Sequence, residues 1–426
     1  MKMKTIARSV ALLALAAAAG QASAAGFQLL EQNASGIGNA YAGSAAVAEN
    51  ASTIFFNPAG MTQLQAREAS VGLSLVRPTF KFSNQGSSTG ALSGSGTGND
   101  AGSWAFIPNG YLSWGLSKDL YVGVGFGAPF GLVTEYDNPW LGGAQAIKFD
   151  IKTYNINPSV AYRINDKVSV GGGLNYQRME AEYVRLATVT SAALAATRVT
   201  LDAGNNAWGW NVGALFTLSP STKVGVSYRS KIKHELKGDL SFSGPAAGVA
   251  PTLTTGSAKA SVDLPDTFIL SVVQNLNDKW EMLGDISWTG WSSIPKVDIV
   301  RTSGILSGGT VQTLDTHFRD TWRYALGANY RLSDMVKLKF GVAYDQTPVP
   351  DAQHRLVSLP DNNRTWFSAG AQIKVAKGSV LDLGAAYLNV PESRVDNNQT
   401  LLGRGRVTGA YDARVWIMGA QYSMAF

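Results

Sequence analysis

Read backwards from its last residue, the chain alternates. Phe426, Met424, Tyr422, Ala420, Met418 and Trp416 are apolar, and Ala425, Ser423, Gln421 and Gly419 lie between them. A strand with lipid on one face and a polar lumen on the other carries this period of two. The pattern recurs along the chain. Tyr154, Ile156, Pro158, Val160 and Tyr162 oppose Asn155, Asn157, Ser159 and Arg163; Trp280, Met282, Ile286 and Trp288 oppose Glu281, Asp285 and Ser287. Trp322, Tyr324, Leu326 and Tyr330 oppose Arg323, Asn329 and Arg331; Leu338, Phe340, Val342 and Tyr344 oppose Lys337, Lys339 and Asp345. Aromatics end several of the apolar faces, where two interfacial girdles would fall.

Short polar turns separate strands at Ser117-Lys118-Asp119, Asn165-Asp166, Pro220-Ser221, Asn277-Asp278, Ser333-Asp334 and Lys377-Gly378. Longer connections alternate with them at about 84–103, 131–146, 186–205, 243–256, 301–315, 348–363 and 391–406. Turns on one side and loops on the other predict an all-β fold: a transmembrane 14-stranded antiparallel β-barrel over residues 67–426.

Residues 25–66 do not alternate. AGFQLLEQNASGIGNAYAGSAAVAENASTIFFNPAGMTQLQ is rich in Gly, Ala, Ser and Asn. A barrel of this width needs an obstruction if it is not to leak, and a small-residue segment can supply an N-terminal plug, or hatch, in the lumen. Ser44 to Ala51 is expected to form a short helix. Asn57-Pro58-Ala59 is expected to make the turn that ends the plug. Ile54, Phe55, Phe56 and Met61 are apolar where an aqueous pore would want polar groups, so they either touch an apolar cargo or wedge the plug against the wall.

Residues 1–24 read as a secretory signal peptide, with Lys2, Lys4 and Arg8 before the apolar run Val10 to Ala19 and Ala22-Ser23-Ala24 at the cleavage site. Their removal lowers the formal charge from +6 to +3, which gives no reason to expect a nucleic-acid partner. No run of eighteen apolar residues follows, so helical spans are excluded. Charged residues make up 15%, against about 25% for a soluble domain. Cysteine is absent. The three histidines, His234, His317 and His354, are far apart in sequence, and neither a metal centre, a cofactor nor a catalytic residue is expected. A lipase would need a Ser/His/acid arrangement, for which no G-x-S-x-G elbow is present. A general porin would conduct sugars or ions.

Two stretches invite function. YVGVGFGAPFG, in the third strand, holds Gly and Pro where a closed barrel wants a regular ladder. From Phe126 through Gly127, Ala128, Pro129 and Phe130 to Gly131 it predicts either an inward kink that opens the wall or a tight barrel corner. Arg229, Lys231, Lys233 and Lys237 alternate as one strand face. They would meet a carboxylate in the lumen or lipopolysaccharide phosphates above the membrane.

AGFQLLEQNASGIGNAYAG and NPAGM resemble the mature N-terminus of the FadL/TodX (OMPP1) family of outer-membrane transporters. LPDTF (264–268), WTGWSSIP (288–295), FRDTWRYALGANYRLSD (318–334), GVAYDQTPVPDA (341–352) and LPDNNRTWFSAG (359–370) are similar to the family too. The resemblance implies a hatch, a kinked third strand beside a lateral opening, and passive uptake of long-chain fatty acids or other hydrophobic molecules. The hatch N-terminus would be Ala25-Gly26-Phe27, the hatch motif Asn57-Pro58-Ala59, and the kink Phe126 to Gly131. Loops such as 186–201 and 244–256 would catch the molecule; it would pass to a pocket beside the plug and leave sideways. Aromatic hydrocarbons are the alternative cargo. The terminal strand ending on Phe426 resembles those read by the barrel-assembly machinery, and the barrel is expected to be a monomer among outer-membrane lipid and lipopolysaccharide.

Overall fold

The computed structural model of the chain describes residues 26–89, 94–188, 194, 196–245, 247, 255–304 and 306–426. The leader, Ala25 and parts of the 84–103, 186–205, 243–256 and 301–315 connections lie outside the described residues.

Fourteen antiparallel strands close into a barrel. They are β1 (Arg67–Asn84), β2 (Ala105–Gly115), β3 (Leu120–Gly127, then Gly131–Glu135), β4 (Lys148–Asn165), β5 (Val168–Leu186), β6 (Arg198–Ser219) and β7 (Thr222–Arg229, then Ile232–Ser243). There follow β8 (Gly256–Leu264, then Thr267–Asn275), β9 (Trp280–Thr289, then Lys296–Arg301), β10 (Thr310–Asp315, then Thr321–Arg331), β11 (Val336–Asp345), β12 (Arg364–Ala376), β13 (Ser379–Asn398) and β14 (Gly405–Ala425). β14 pairs back onto β1 from Glu68↔Ala425 to Asn84↔Gly409, so no edge is left to lipid.

The outward side chains of the lower barrel form the belt that the alternation predicts. Leu326, Phe340, Val342, Trp416 and Met418 are exposed, while Lys339 and Asp382, at inward positions, are 1% exposed. Trp280 packs with Tyr330 at 4.7 Å between ring centroids, at the end where the short turns lie. Trp288 and Trp322 face each other at the other end. The interval from Trp280 to Trp288 is about 27 Å along the strand, shortened to about 20 Å by a tilt near 40°. That is close to the apolar height of an outer-membrane barrel.

Above this belt the apolar face turns from lipid to the lumen. Four successive strands are interrupted at one level, where Arg229 faces Thr267, Thr267 faces Thr289 and Thr289 faces Thr321. Beyond the interruptions the inward positions turn apolar, with Leu236, Leu240, Ala260, Val262, Ile299 and Leu314 buried. Outward positions carry Lys233, Glu235, Lys237, Lys259 and Asp263, as befits walls that have left the bilayer for water.

Residues 26–66 lie inside this wall. Their helix is Thr53–Phe56, followed by a 3-10 helix from Pro58 to Gln63. Ser44–Ala51, expected as a helix, is a series of turns. The wall competes for its N–H groups: Ser44 shares its donor between Tyr41 O and Asp285 Oδ2, both at 3.2 Å, and Ala45 donates to Ser271 Oγ at 3.0 Å, while Ala46 and Val47 both turn back to Gly43 O at 2.9 Å. Asn57 does not end the segment but caps the 3-10 helix, accepting from Ala59 N at 3.1 Å. Its Nδ2 donates to Ala45 O at 2.7 Å and Ala214 O at 2.9 Å, so one amide ties the segment to itself and to β6. Glycines in the wall let the segment seat. A Cβ on Gly225 would stand 2.0 Å from the Ala45 carbonyl oxygen, and one on Gly341 2.2 Å from the Asn39 carbonyl carbon. Lys339 fastens the other side, ion-paired with Glu49 of the segment and, at 3.0 Å, with Asp382 of β13.

Candidate functional site

The wall is broken at β3. Gly127 pairs with Asn155 and Gly131 with Lys152, so Ala128, Pro129 and Phe130 face only Thr153 and Tyr154 on β4. Three residues against two make a bulge, and proline removes one donor from the ladder. On the other side, β2 pairs with β3 no further up than Gly110↔Phe126. Ladder contact resumes where Glu135 N donates to Ala101 O at 3.0 Å. Between these two points β2 and β3 share no ladder.

The start of the described chain fills the gap from inside as a short added strand. Gly131 N donates to Phe27 O at 2.8 Å, Leu29 N donates to Pro129 O at 2.8 Å, and Gln28 bridges Phe130. The side-chain amide of Gln32 donates to Ala128 O at 2.8 Å. Gly127 leaves room for Gln32, whose Oε1 would lie 2.4 Å from an added Cβ.

Two chambers adjoin this seal. The upper one has a volume of about 630 Å³ and is lined by Phe27, Ile151, Leu236, Ile299, Phe318 and Leu359 among others, with no charged side chain among the described residues. The lower has a volume of about 700 Å³ and meets Gln28, Leu29, Phe55, Arg229, Trp291 and Arg323. Trp291 stands between them. Its ring meets Phe27 at 5.0 Å, Phe318 at 5.9 Å and Phe130 at 6.2 Å. Gly26 fits only because it lacks a Cβ, which would sit 2.7 Å from Trp291, and its N–H donates to Asp361 Oδ2 at 2.9 Å.

The arginines of the lower chamber are held from behind. Arg229 lies over the Phe55 ring at 4.1 Å and donates to the Phe55 carbonyl at 2.8 Å. Arg323 donates to Ala40 O at 2.6 Å, while its buried Nε has no hydrogen-bond partner among the described residues. An unsatisfied buried donor is costly, and an anionic group in the chamber would relieve it. Nearby, burial pushes the Glu31 carboxyl up to about 7, against the pull of Arg364 and Arg323.

The residues singled out by sequence therefore divide. Gly26, Phe27 and Ala128 to Phe130 meet at the seal, and Phe55 and Phe56 line the lower chamber. Ile54 and Met61 pack against β3 at Gly123, and Pro58 and Ala59 against β5 at Gly171, away from both chambers. Arg229 and the three lysines do not share a face. The interruption at Ser230 and Lys231 shifts the strand by one position, so Arg229 points inward while Lys231, Lys233 and Lys237 are exposed outside. Trp291 and the upper chamber were not singled out; in β7 the alternation of Val224, Val226, Tyr228, Ile232, Leu236 and Leu240 runs through the interruption in one phase, so the turn of its apolar face from lipid to lumen leaves no mark in the sequence. Nor are the histidines all isolated, since His317 and His354 lie ring to ring at 4.3 Å.

A closed fourteen-stranded barrel with an apolar belt and an internal seal is a plugged membrane barrel, and its relatives are outer-membrane transport proteins, not enzymes. The chain belongs to the outer membrane protein transport family (OMPP1/FadL/TodX), whose pattern matches residues 15–426. It is 28% identical over 463 residues to the long-chain fatty acid transport protein of Escherichia coli K12, covering 100% of both chains. It is 34% identical over 396 residues to a 47 kDa outer membrane protein of Pasteurella multocida, covering 88% of this chain and 90% of that one. The crystal structure of a Pseudomonas aeruginosa FadL homologue superposes with a TM-score of 0.84 at 25% identity, over 94% of this chain and 99% of the other.

Proposed function

We propose that this protein carries long-chain fatty acids passively across the outer membrane and releases them sideways through the break in β3. One observation carries the reading: Phe27 is both a wall of the apolar chamber and the residue whose carbonyl closes the break. A molecule that displaces Phe27 from the chamber therefore loosens the bond to Gly131. An alkyl chain gains by leaving water for the upper chamber, about 0.8 kcal/mol per buried CH₂. Its carboxylate would be met by Arg229 and Arg323 below. The cargo would then leave between β2 and β3 at Phe126 to Gly131, into lipid. Residues 1–24 act as the export signal, 25–66 as the hatch and 67–426 as the barrel. The outward Lys231, Lys233 and Lys237 face lipopolysaccharide phosphates, and the strand ending on Phe426 engages the assembly machinery. The similarity to the E. coli fatty acid transporter supports the choice of cargo.

The second reading is uptake of aromatic hydrocarbons by the same route, favoured by the absence of charge among the described residues around the upper chamber. Titration of the purified barrel with oleate and with toluene separates the two. Saturable oleate binding is expected; tight toluene binding with none for oleate overturns the first reading.

A further inference from the structure

We infer that Asp315, His317 and His354 form a divalent transition-metal site that clips two walls of the upper chamber together. One candidate ligand atom from each of the three lies within 4.8 Å of the others. The imidazoles lie 4.3 Å apart between centroids, tilted to one another, although they stand 37 positions apart in the chain. Each has its own carboxylate. His317 Nε2 lies 3.0 Å from Asp315 Oδ1, and His354 Nδ1 lies 2.8 Å from Asp351 Oδ1. Two imidazoles and a carboxylate are a donor set for Zn²⁺, Cu²⁺ or Ni²⁺ rather than for Mg²⁺ or Ca²⁺. Tetrahedral Zn²⁺ wants its ligand atoms about 3.4 Å apart. Asp315 and His317 are exposed and His354 partly so, which leaves their side chains room to close that distance. Asp351 occupies Nδ1 of His354 and leaves Nε2 for the metal, the arrangement by which a carboxylate orients a ligating imidazole.

The backbone beneath the site is fixed. His317 has φ of 45°, uncommon for a residue with a side chain, and its N–H donates to Pro295 O at 2.8 Å. The neighbouring Thr316 donates to Ile294 O at 2.6 Å. The site also joins elements that matter. Thr316 and Phe318 on one side of it, and Leu356 and Leu359 on the other, line the upper chamber. Asp361, further along the same loop as His354, holds the Gly26 N–H. A bound metal would thus fasten the outer loop 346–363 over the chamber.

The full mature barrel, purified in detergent and stripped with chelator, is titrated with Zn²⁺ against a chromogenic chelator. One Zn²⁺ per chain is expected. His317→Ala and His354→Ala should each weaken it at least 10-fold, and Asp351→Asn by about 10-fold. Heat-modifiable gel mobility verifies that each variant is folded. Zn²⁺ should also protect loop 346–363 from protease in the parent and not in His354→Ala. No Zn²⁺ binding by the parent, or binding by either histidine variant as tight as the parent's, overturns the site. Protection that persists in His354→Ala overturns the clip.

Discussion

Arg323 shows how far a single residue can be read. Its inward direction follows from the period of two, because Trp322 and Tyr324 must face lipid. Its role does not, because that depends on a chamber assembled from strands distant in sequence. Arg323 spends one donor on Ala40 and leaves Nε without a partner among the described residues beside the lower chamber. A charge-assisted hydrogen bond contributes about 1.5–3 kcal/mol, or roughly 10- to 150-fold in affinity. Arg323→Leu is therefore expected to weaken oleate binding by one to two orders of magnitude and to leave the binding of an uncharged long-chain alcohol unchanged. Paired equilibrium titrations measure both. Equal losses for acid and alcohol would show that the arginine acts on chamber shape and not on the carboxylate.

At the scale of elements, β3 was legible and β7 to β10 were not. Gly127, Pro129 and Gly131 announce trouble in a ladder because their backbones either lack a donor or lack a side chain to pack. The interruptions of β7 to β10 carry weaker signs. Arg229, Lys231, Lys233 and Lys237 look like one face, but the single-residue slip at Ser230 and Lys231 divides them between lumen and solvent. The turns at Ser44–Ala51 escaped for a related reason. Their small residues permit a helix, and Asp285 and Ser271 on the wall draw on the N–H groups of Ser44 and Ala45. The break in β3 can be tested directly. Gly127→Val with Pro129→Val should regularise the strand and crowd Gln32, whose Oε1 stands 2.4 Å from a Cβ at 127. Assembly should persist, as judged by heat-modifiable mobility, while oleate uptake by cells falls several-fold. Unchanged uptake would place the exit elsewhere in the wall.

For the whole molecule, the question is how a barrel wide enough for oily cargo stays closed to water. The wall answers with inward glycines against which residues 26–66 lie backbone to backbone, and with buried groups such as Asp285, Lys339 and Asn57 that fasten the segment. Gly225 is the tightest of these seats, since a Cβ there would stand 2.0 Å from the Ala45 oxygen. Gly225→Val cannot be absorbed by a side-chain rotation, because both the Ala45 carbonyl and the neighbouring Ala46 N–H belong to backbone. The outward belt, the ladder and the chain ends are untouched, so the barrel should still assemble with Val224 and Val226 facing lipid. The segment should then be displaced from that side of the lumen. Planar-bilayer recording is expected to show stable ion conductance for Gly225→Val and near silence for the parent. Cells carrying the variant should admit large polar antibiotics that the parent excludes. A folded but silent Gly225→Val barrel would mean that the small-residue segment is not what keeps the lumen shut, and that the seal resides in the outer chamber alone.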